Sequence, residues 1–282
     1  MIDESFATMT LSQALTLDLS EQRVVITGGG SGIGRAIAEM AVASGASVVI
    51  LDADVDAIGR LPATGQLCAI HCDVADADAA NEAVNNAATM MGGVTGLVNG
   101  VGIAGPTMSP DGISVEAWRR TLAVNLDGMF YCTRAAIPWL KRNGGSIVNL
   151  SSAAIARGGF PMRLAYATSK KAVIGFTETL AMDLGRHAIR VNTVLPGTVE
   201  GDRVRTVIAA AAEASGVSAE DLWGDTIAAN SLRVAVEAVD VAALVIFLLS
   251  DLGRLITSQS IAVCAGFEGH RSQDQDPMAS GR

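Results

Sequence analysis

The sequence predicts an α/β fold: one domain built on a doubly wound parallel sheet of about seven strands, with helices on both faces. Three observations predict it. Short β-branched runs alternate with Ala-rich stretches of helical length, the pattern of repeated strand–helix–strand units. The first β-branched run ends in a glycine cluster where a helical stretch begins. No repeat or linker interrupts the body of the chain, so residues 21–267 read as one unit.

The first strand falls at 23–27, where Val24, Val25 and Ile26 are β-branched, and a helix follows at 33–43 until Gly45 stops it. Further strands fall at 48–51, 67–71, 97–98, 146–150, 190–195 and 260–263. Helical stretches lie between them at 75–91, 126–141, 167–184 and 239–248, as right-handed crossovers require. Residues 1–20 read as an N-terminal extension and 268–282 as a loose polar tail. From 196 to 231 the pattern weakens, with 209–214 helical and Trp223 isolated among polar residues. A long excursion beside the C-terminal edge of a sheet suits either a substrate lid over 198–231 or a surface helical insert.

Half of the 282 residues are hydrophobic and 17% are charged, enough for a large core. A formal charge of −9 argues against nucleic acid and anionic membrane as partners, since both select basic patches. Cys68, Cys72, Cys132 and Cys264 lack metal-ligand spacing, and Cys68 and Cys72 lie on or beside one strand, too far apart to bridge. No metal is expected, and His71, His187 and His270 are scattered. A reduced, cytoplasmic setting is expected. The N-terminus lacks a basic segment followed by a long apolar run, and the apolar stretch 241–249 is too short to span a bilayer.

The glycine cluster reads Thr27-Gly28-Gly29-Gly30-Ser31-Gly32-Ile33-Gly34-Arg35. Glycines there permit a tight turn and close approach to a pyrophosphate, whose charge the helix N-terminus binds. The second strand ends at Asp52, eighteen residues after Gly34. Its carboxylate suits the adenosine ribose hydroxyls and repels a 2′-phosphate, favouring NAD; the alternative is a helix N-cap, together with Asp54. Arg35 opposes that preference if it reaches a 2′-phosphate. Asp73, in Cys72-Asp73-Val74, either reaches the adenine or caps the helix from Ala75.

Tyr166 and Lys170 are spaced i, i+4, so both lie on one helix face. A free tyrosine ionises near pH ~10, and lowering that toward ~7 takes roughly 4 kcal/mol of differential stabilisation. A neighbouring ammonium has the sign to supply it. The strand at 146–150 delivers Ser151 and Ser152 to the C-terminal edge of the sheet, where a hydroxyl can hold a substrate oxygen or merely cap a turn.

Taken in order, these residues resemble the short-chain dehydrogenase/reductase family, in its single-domain branch, over roughly residues 20–266. Thr27-Gly28 with Gly32 and Gly34 matches its cofactor turn, and Asp73 its adenine-side aspartate. Val124-Asn125-Leu126 matches the motif of the catalytic asparagine, and Ser152, Tyr166 and Lys170 complete a tetrad. Pro196-Gly197 after Val191-Asn192 matches the segment that holds the nicotinamide carboxamide, with Thr198 and Val199 as contacts.

The resemblance implies a Rossmann-type fold and an oxidoreductase passing hydride between NAD(H) and an alcohol or ketone. Tyr166 is then the acid/base, Ser152 polarises the substrate oxygen, and Lys170 binds the nicotinamide ribose and lowers the tyrosine pKa. Asn125 anchors a water linking the lysine to solvent. The alternatives are a 3-oxoacyl or other ketone reductase, and a nucleotide-binding scaffold without turnover.

The match departs from the family at three places. Where the family has Asn-Asn-Ala-Gly, this chain reads Asn99-Gly100-Val101-Gly102, so something else must brace the central strands and Val101 adds bulk. The interval from Ser152 to Tyr166 is one residue longer than expected, which keeps Ser151 open for the serine role. Cys264-Ala265-Gly266 stands where a Gly-Gly pair is usual.

Val101, Ile103, Ala154, Phe160, Met162, Arg163 and Trp223 are the candidate substrate contacts. Arg163 is either an anion-binding group or an arginine in solvent or at a subunit interface. The helices at 126–141 and 167–184 carry apolar residues on more than one face, among them Phe130, Ile137, Phe176 and Leu180. A homotetramer, or a homodimer, is expected.

Overall fold

The computed structural model describes residues 17–62, 65–155 and 160–267. In chain order the elements are β1 (Arg23–Thr27), α1 (Gly32–Ala43), β2 (Ser47–Asp52), α2 (Val55–Gly59), β3 (Leu67–His71), α3 (Ala77–Met91) and β4 (Gly96–Asn99). There follow α4 (Val115–Leu122), a π-helical turn (Ala123–Asp127), α5 (Gly128–Leu140), β5 (Gly145–Leu150), α6 (Leu164–Leu184) and β6 (Ile189–Pro196). The chain then forms α7 (Asp202–Ser215), α8 (Ala219–Ala228), α9 (Ala238–Leu249) and β7 (Ser260–Val263).

All seven strands pair in parallel, in the order β3-β2-β1-β4-β5-β6-β7. Alternation along the strands sorts side chains to two faces. Val24 and Ile26 of β1 pack with Ile37 of α1 and Val241, Val245 and Ile246 of α9. Val25, between them, packs on the other face with Val84 of α3, Ala136 of α5 and Leu184 of α6. Covering both faces explains why the strands read as continuous apolar runs.

The strand order reverses between β1 and β4, since the chain builds outward through β2 and β3 before returning. A crevice opens at such a switch point, beyond the C-terminal ends of the strands. Thr27 and Asn99 end the two strands and are paired in register.

Three expectations change, and those on the two chain ends fall largely outside the described residues. Leu19, inside the expected extension, is fully buried, and its N–H donates to the Ser44 carbonyl at 2.8 Å, so the fold begins before residue 21. Residues 1–16, 268–282 and His270 lie outside the described residues. The segment from 198 to 231 is mostly two helices, and Trp223 sits half-buried on α8, its ring 5.3 Å from the Arg205 guanidinium. The helix after β3 starts at Ala77 under an Asp76 cap, so Asp73 does not cap it.

Candidate active site

Gly28 adopts φ +71°, and a side chain there would press on the Val101 backbone at 3.1 Å. A side chain on Gly34 would run into the Gly28 carbonyl, so α1 can approach β1 this closely only with glycine. Gly32, at φ +52°, has open space where a Cβ would stand. The Ser31 side chain makes no capping hydrogen bond to the start of α1. The first N–H groups of α1, with Gly32 and Ile33, therefore form an uncapped positive terminus beside an open cradle, which fits a dinucleotide pyrophosphate.

Asp52 is not the cap of α2. Asp54 takes that role, accepting from the Ala57 N–H at 2.9 Å. Asp52 turns toward the glycine cluster: Oδ2 accepts from the Gly30 N–H at 2.8 Å and Oδ1 from the Asp54 N–H at 3.0 Å. A Cβ on Gly30 would stand 2.9 Å from that carboxylate, so glycine is what brings turn and carboxylate together. Arg35 lies one turn from Glu39 and pairs with it at 2.8 Å. Asp73 accepts from the Ala75 N–H at 3.0 Å and pairs with Arg120 of α4 at 3.2 Å, and the neighbouring Val74 is buried against Gly128.

Asn99 and Asn149 do the bracing that the departure at Gly100 put in question. Asn99 Nδ2 donates to Asn149 Oδ1 at 2.8 Å and Thr133 Oγ1 at 3.0 Å. Asn149 Nδ2 donates to Thr177 Oγ1 at 2.9 Å, and the Thr193 hydroxyl donates to the same oxygen at 2.8 Å. At Gly100 a Cβ would stand 2.6 Å from the Thr27 carbonyl, and the Gly100 N–H donates to Thr27 Oγ1 at 3.1 Å. The tight seam between the ends of β1 and β4 has no room for an asparagine.

The residues expected to form a tetrad lie around the ends of β4 and β5. Asn125 is fully buried on the π-helical turn, an insertion that re-aims a side chain within a helix. Its Oδ1 accepts from the Ile103 N–H at 2.7 Å, and its Nδ2 donates to the Ile103 carbonyl at 3.1 Å and Ser169 Oγ at 3.0 Å. The Ser169 hydroxyl donates to the Tyr166 carbonyl at 2.7 Å. Asn125 thus ties the loop after β4 to the first turn of α6. Ser169 was not foreseen: a serine inside a helical stretch carries no local sign of this role.

Tyr166 is half-buried in the first turn of α6, and Lys170 lies buried one turn later. Lys170 Nζ donates to the Leu150 carbonyl at the end of β5, at 2.9 Å. The Ser151 hydroxyl donates to the Lys170 carbonyl at 2.6 Å, which engages it in holding α6. Ser152, next along, is also buried.

The expected substrate contacts do not all converge. Ile103 and Ala104 lie on the loop after β4, with Val101 half-buried beside Gly28. Phe160 and Met162 are exposed, and Met162 is left-handed at φ +61°. Ala154 is half-buried in a short 3₁₀ turn after β5. Arg163 is not a solvated arginine: it is 5% exposed, donates from Nη2 to the Ala104 carbonyl at 2.8 Å, and lies over the Tyr166 ring. Pro196 ends β6, and Gly197 follows against Cys264, where a Cβ would stand 2.6 Å from the Cys264 backbone. Thr198 and Val199 follow Gly197, with Val199 bridged to Val236.

Comparison with known proteins agrees with this arrangement. A family profile described as enoyl-(acyl carrier protein) reductase matches residues 28–268. The 2,5-dichloro-2,5-cyclohexadiene-1,4-diol dehydrogenase of Sphingobium indicum is 33% identical over 254 residues, covering 89% of this chain and 98% of that one. The meso-2,3-butanediol dehydrogenase of Serratia marcescens is 34% identical, covering 86% and 93% respectively. Among solved structures, that of NAD+-bound xylitol dehydrogenase superposes with a TM-score of 0.83 at 26% identity, covering 87% of this chain and 98% of that one.

Proposed function

The chain belongs to the short-chain dehydrogenase/reductase family, and on that premise we propose that it oxidises a small hydroxyl compound with NAD, Tyr166 serving as acid/base. One observation carries the reading: Asn125 bonds Ser169, Ser169 bonds the Tyr166 carbonyl, and Lys170, one turn along the same helix, bonds the Leu150 carbonyl at the end of β5. The named relatives act on diols, which favours an alcohol or its ketone over an enoyl substrate.

When bound, NAD+ would accept the hydride in oxidation, and NADH would donate one in the reverse direction. Gly28, Ser31, Gly32, Ile33 and Gly34 would hold its pyrophosphate, Asp52 its adenosine ribose, and Asp73 with Val74 its adenine side. Asn99, Gly100 and the 196–199 segment would hold the nicotinamide side. The pairing of Arg35 with Glu39 supports NAD over NADP, because that guanidinium is already engaged by a carboxylate.

Tyr166 exchanges the proton of the substrate oxygen. Lys170, held by the Leu150 carbonyl, stands one helical turn from Tyr166. Ser152 holds the substrate oxygen, a reading supported by the engagement of Ser151 with the Lys170 carbonyl. The 198–231 segment serves as the lid.

Self-association into a homotetramer or homodimer is supported by an apolar groove of about 550 Å³ between α5 and α6, lined by Phe130, Ile137, Phe176 and Leu180. Light scattering should report more than a monomer at micromolar concentration.

The function is tested by following NADH absorbance with meso-2,3-butanediol, xylitol and cyclohexanol. Turnover is expected with at least one, and Tyr166→Phe should remove it while leaving NAD binding intact. A phenylalanine variant that keeps more than about a tenth of the rate overturns the acid/base assignment.

A further inference from the structure

We propose that Arg163 is a positioning residue, a clamp that fixes the Tyr166 ring and joins the two loops flanking the substrate. The inference rests on Tyr166 being the acid/base.

Arg163 precedes α6 and is buried at 5% exposure, unusual for a cation in a loop. A buried guanidinium is stabilised by hydrogen bonds to its donors and by aromatic rings over its faces. Nη2 donates to the Ala104 carbonyl at 2.8 Å, across 59 residues of sequence. The guanidinium carbon stands 4.8 Å from the Tyr166 ring centroid and 5.5 Å from that of Phe160. Cation and ring faces at this range attract, more strongly once water is excluded. One planar group therefore holds a carbonyl at its edge and has two aromatic rings within reach.

The surrounding backbone reinforces the clamp. The Arg163 N–H donates to the Phe160 carbonyl at 3.2 Å, and the Ala167 N–H to the Arg163 carbonyl at 2.8 Å. Met162 adopts φ +61°, a conformation costly for a long side chain and sustained only where neighbours impose it. Its carbonyl accepts from the Met108 N–H at 2.9 Å. Two links, Met108 to Met162 and Ala104 to Arg163, thus staple the loop after β4 to the turn that starts α6.

That loop also carries Ile103, which Asn125 holds by both its N–H and its carbonyl. Tyr166 is consequently fixed from two sides. Asn125 and Ser169 fix its backbone, and Arg163 fixes its ring. The phenol oxygen must meet the substrate oxygen at hydrogen-bond distance, and an error of about 1 Å can cost on the order of a hundredfold in rate. A residue that restricts the ring should act on kcat more than on cofactor binding.

The assignment also bears on substrate choice. A guanidinium with the Ala104 carbonyl at its edge and a ring at its face is committed to the wall of the site. Neutral and anionic alcohols should lose alike when it is replaced.

The test compares Arg163→Met and Arg163→Lys with wild type, using whichever alcohol of the panel above is turned over. Lysine keeps the charge near the ring but not the planar fork. The expected result is a kcat fall of about tenfold or more in the methionine variant, with KM and NAD affinity within about threefold, and partial recovery of kcat with lysine. Methionine and wild-type kcat values within twofold of each other overturn the proposal. So does an equal loss in both variants accompanied by loss of NAD affinity, which marks a merely structural arginine. If the methionine variant fails to fold, the lysine variant decides: kcat unchanged against wild type overturns the clamp, and a selective kcat loss supports it. Turnover surviving in Tyr166→Phe would instead defeat the acid/base reading, a distinct result.

Discussion

Gly102 and Lys170 stand so close that a Cβ on the glycine would lie 3.0 Å from the ammonium nitrogen and 3.4 Å from Asn125 Oδ1. The last glycine of the Asn99-Gly100-Val101-Gly102 motif thus leaves the space in which the Lys170 side chain sits. A methyl group there must displace the end of the Lys170 side chain, a shift expected to disturb catalysis more than folding. Gly102→Ala should lower kcat/KM about tenfold or more with little change in Tm. Steady-state kinetics beside a thermal melt checks this, and equal activity would mean the ammonium has slack.

Thr177 is the junction of the buried polar network, accepting from both Asn149 Nδ2 and the Thr193 hydroxyl. All three residues are fully buried. Valine matches threonine in shape but accepts nothing, so Thr177→Val leaves two interior donors without that acceptor. Each unsatisfied group costs about 1–3 kcal/mol, and a total loss of about 2–6 kcal/mol is expected from urea unfolding. A loss below about 1 kcal/mol would mean the strands are held by backbone pairing alone.

Much of the fold was legible because local chemistry and tertiary role coincide. The β-branched run before the glycine cluster marks β1, and Asp52 announces itself at the end of β2. Other elements carry weaker signals. The helix Val115–Leu122, half polar, was not among the expected elements; its local sign is Ser114, which accepts from the Ala117 N–H at 3.1 Å. Trp223 looked isolated, yet Ser218 and Asp221 form the capping pattern that starts its helix. The π-helical turn under Asn125 has no periodic signature. The burial of Arg163 could not be read locally, since its carbonyl partner arrives from a distant loop.

Cys72 and Cys132 are buried together in the core, and burial is the main reason their thiols are pushed up, to about 11 and about 12 respectively. Neutral Cys72 is further favoured by the Asp73 and Asp76 charges, and Cys132 by Cys72 itself. In the native protein iodoacetamide should modify exposed Cys68 first and leave these two protected until unfolding. Mass spectrometry of the labelled peptides checks the order. Stability follows the same logic: above about pH 9 the unfolded thiols release protons that the folded ones retain, so the unfolded state binds fewer. Stability should therefore fall as pH rises from about 9 toward the folded values, and replacing both cysteines with alanine should flatten that slope.

Asp52 should set the choice of cofactor. Each of its oxygens already accepts one backbone N–H, from Gly30 and Asp54, and each retains a lone pair for a ribose hydroxyl. Those two bonds orient the carboxylate before any ligand arrives, so little reorganisation is needed on binding. Charge-assisted bonds to the two hydroxyls are worth about 1.5–3 kcal/mol each, and a 2′-phosphate would exchange one of them for like-charge repulsion. Arg35 is the nearby residue that could reverse the balance, and its pairing with Glu39 holds it one turn along α1. Wild type should accordingly prefer NAD over NADP by at least about a hundredfold in kcat/KM, since ~1.4 kcal/mol is tenfold. Asp52→Ala should narrow that gap by about tenfold or more, chiefly by weakening NAD. Adding Glu39→Gln should free Arg35 and narrow the gap again through improved use of NADP. Equal use of both cofactors by wild type, or an unchanged preference in the alanine variant, would reduce Asp52 to a brace for the glycine turn.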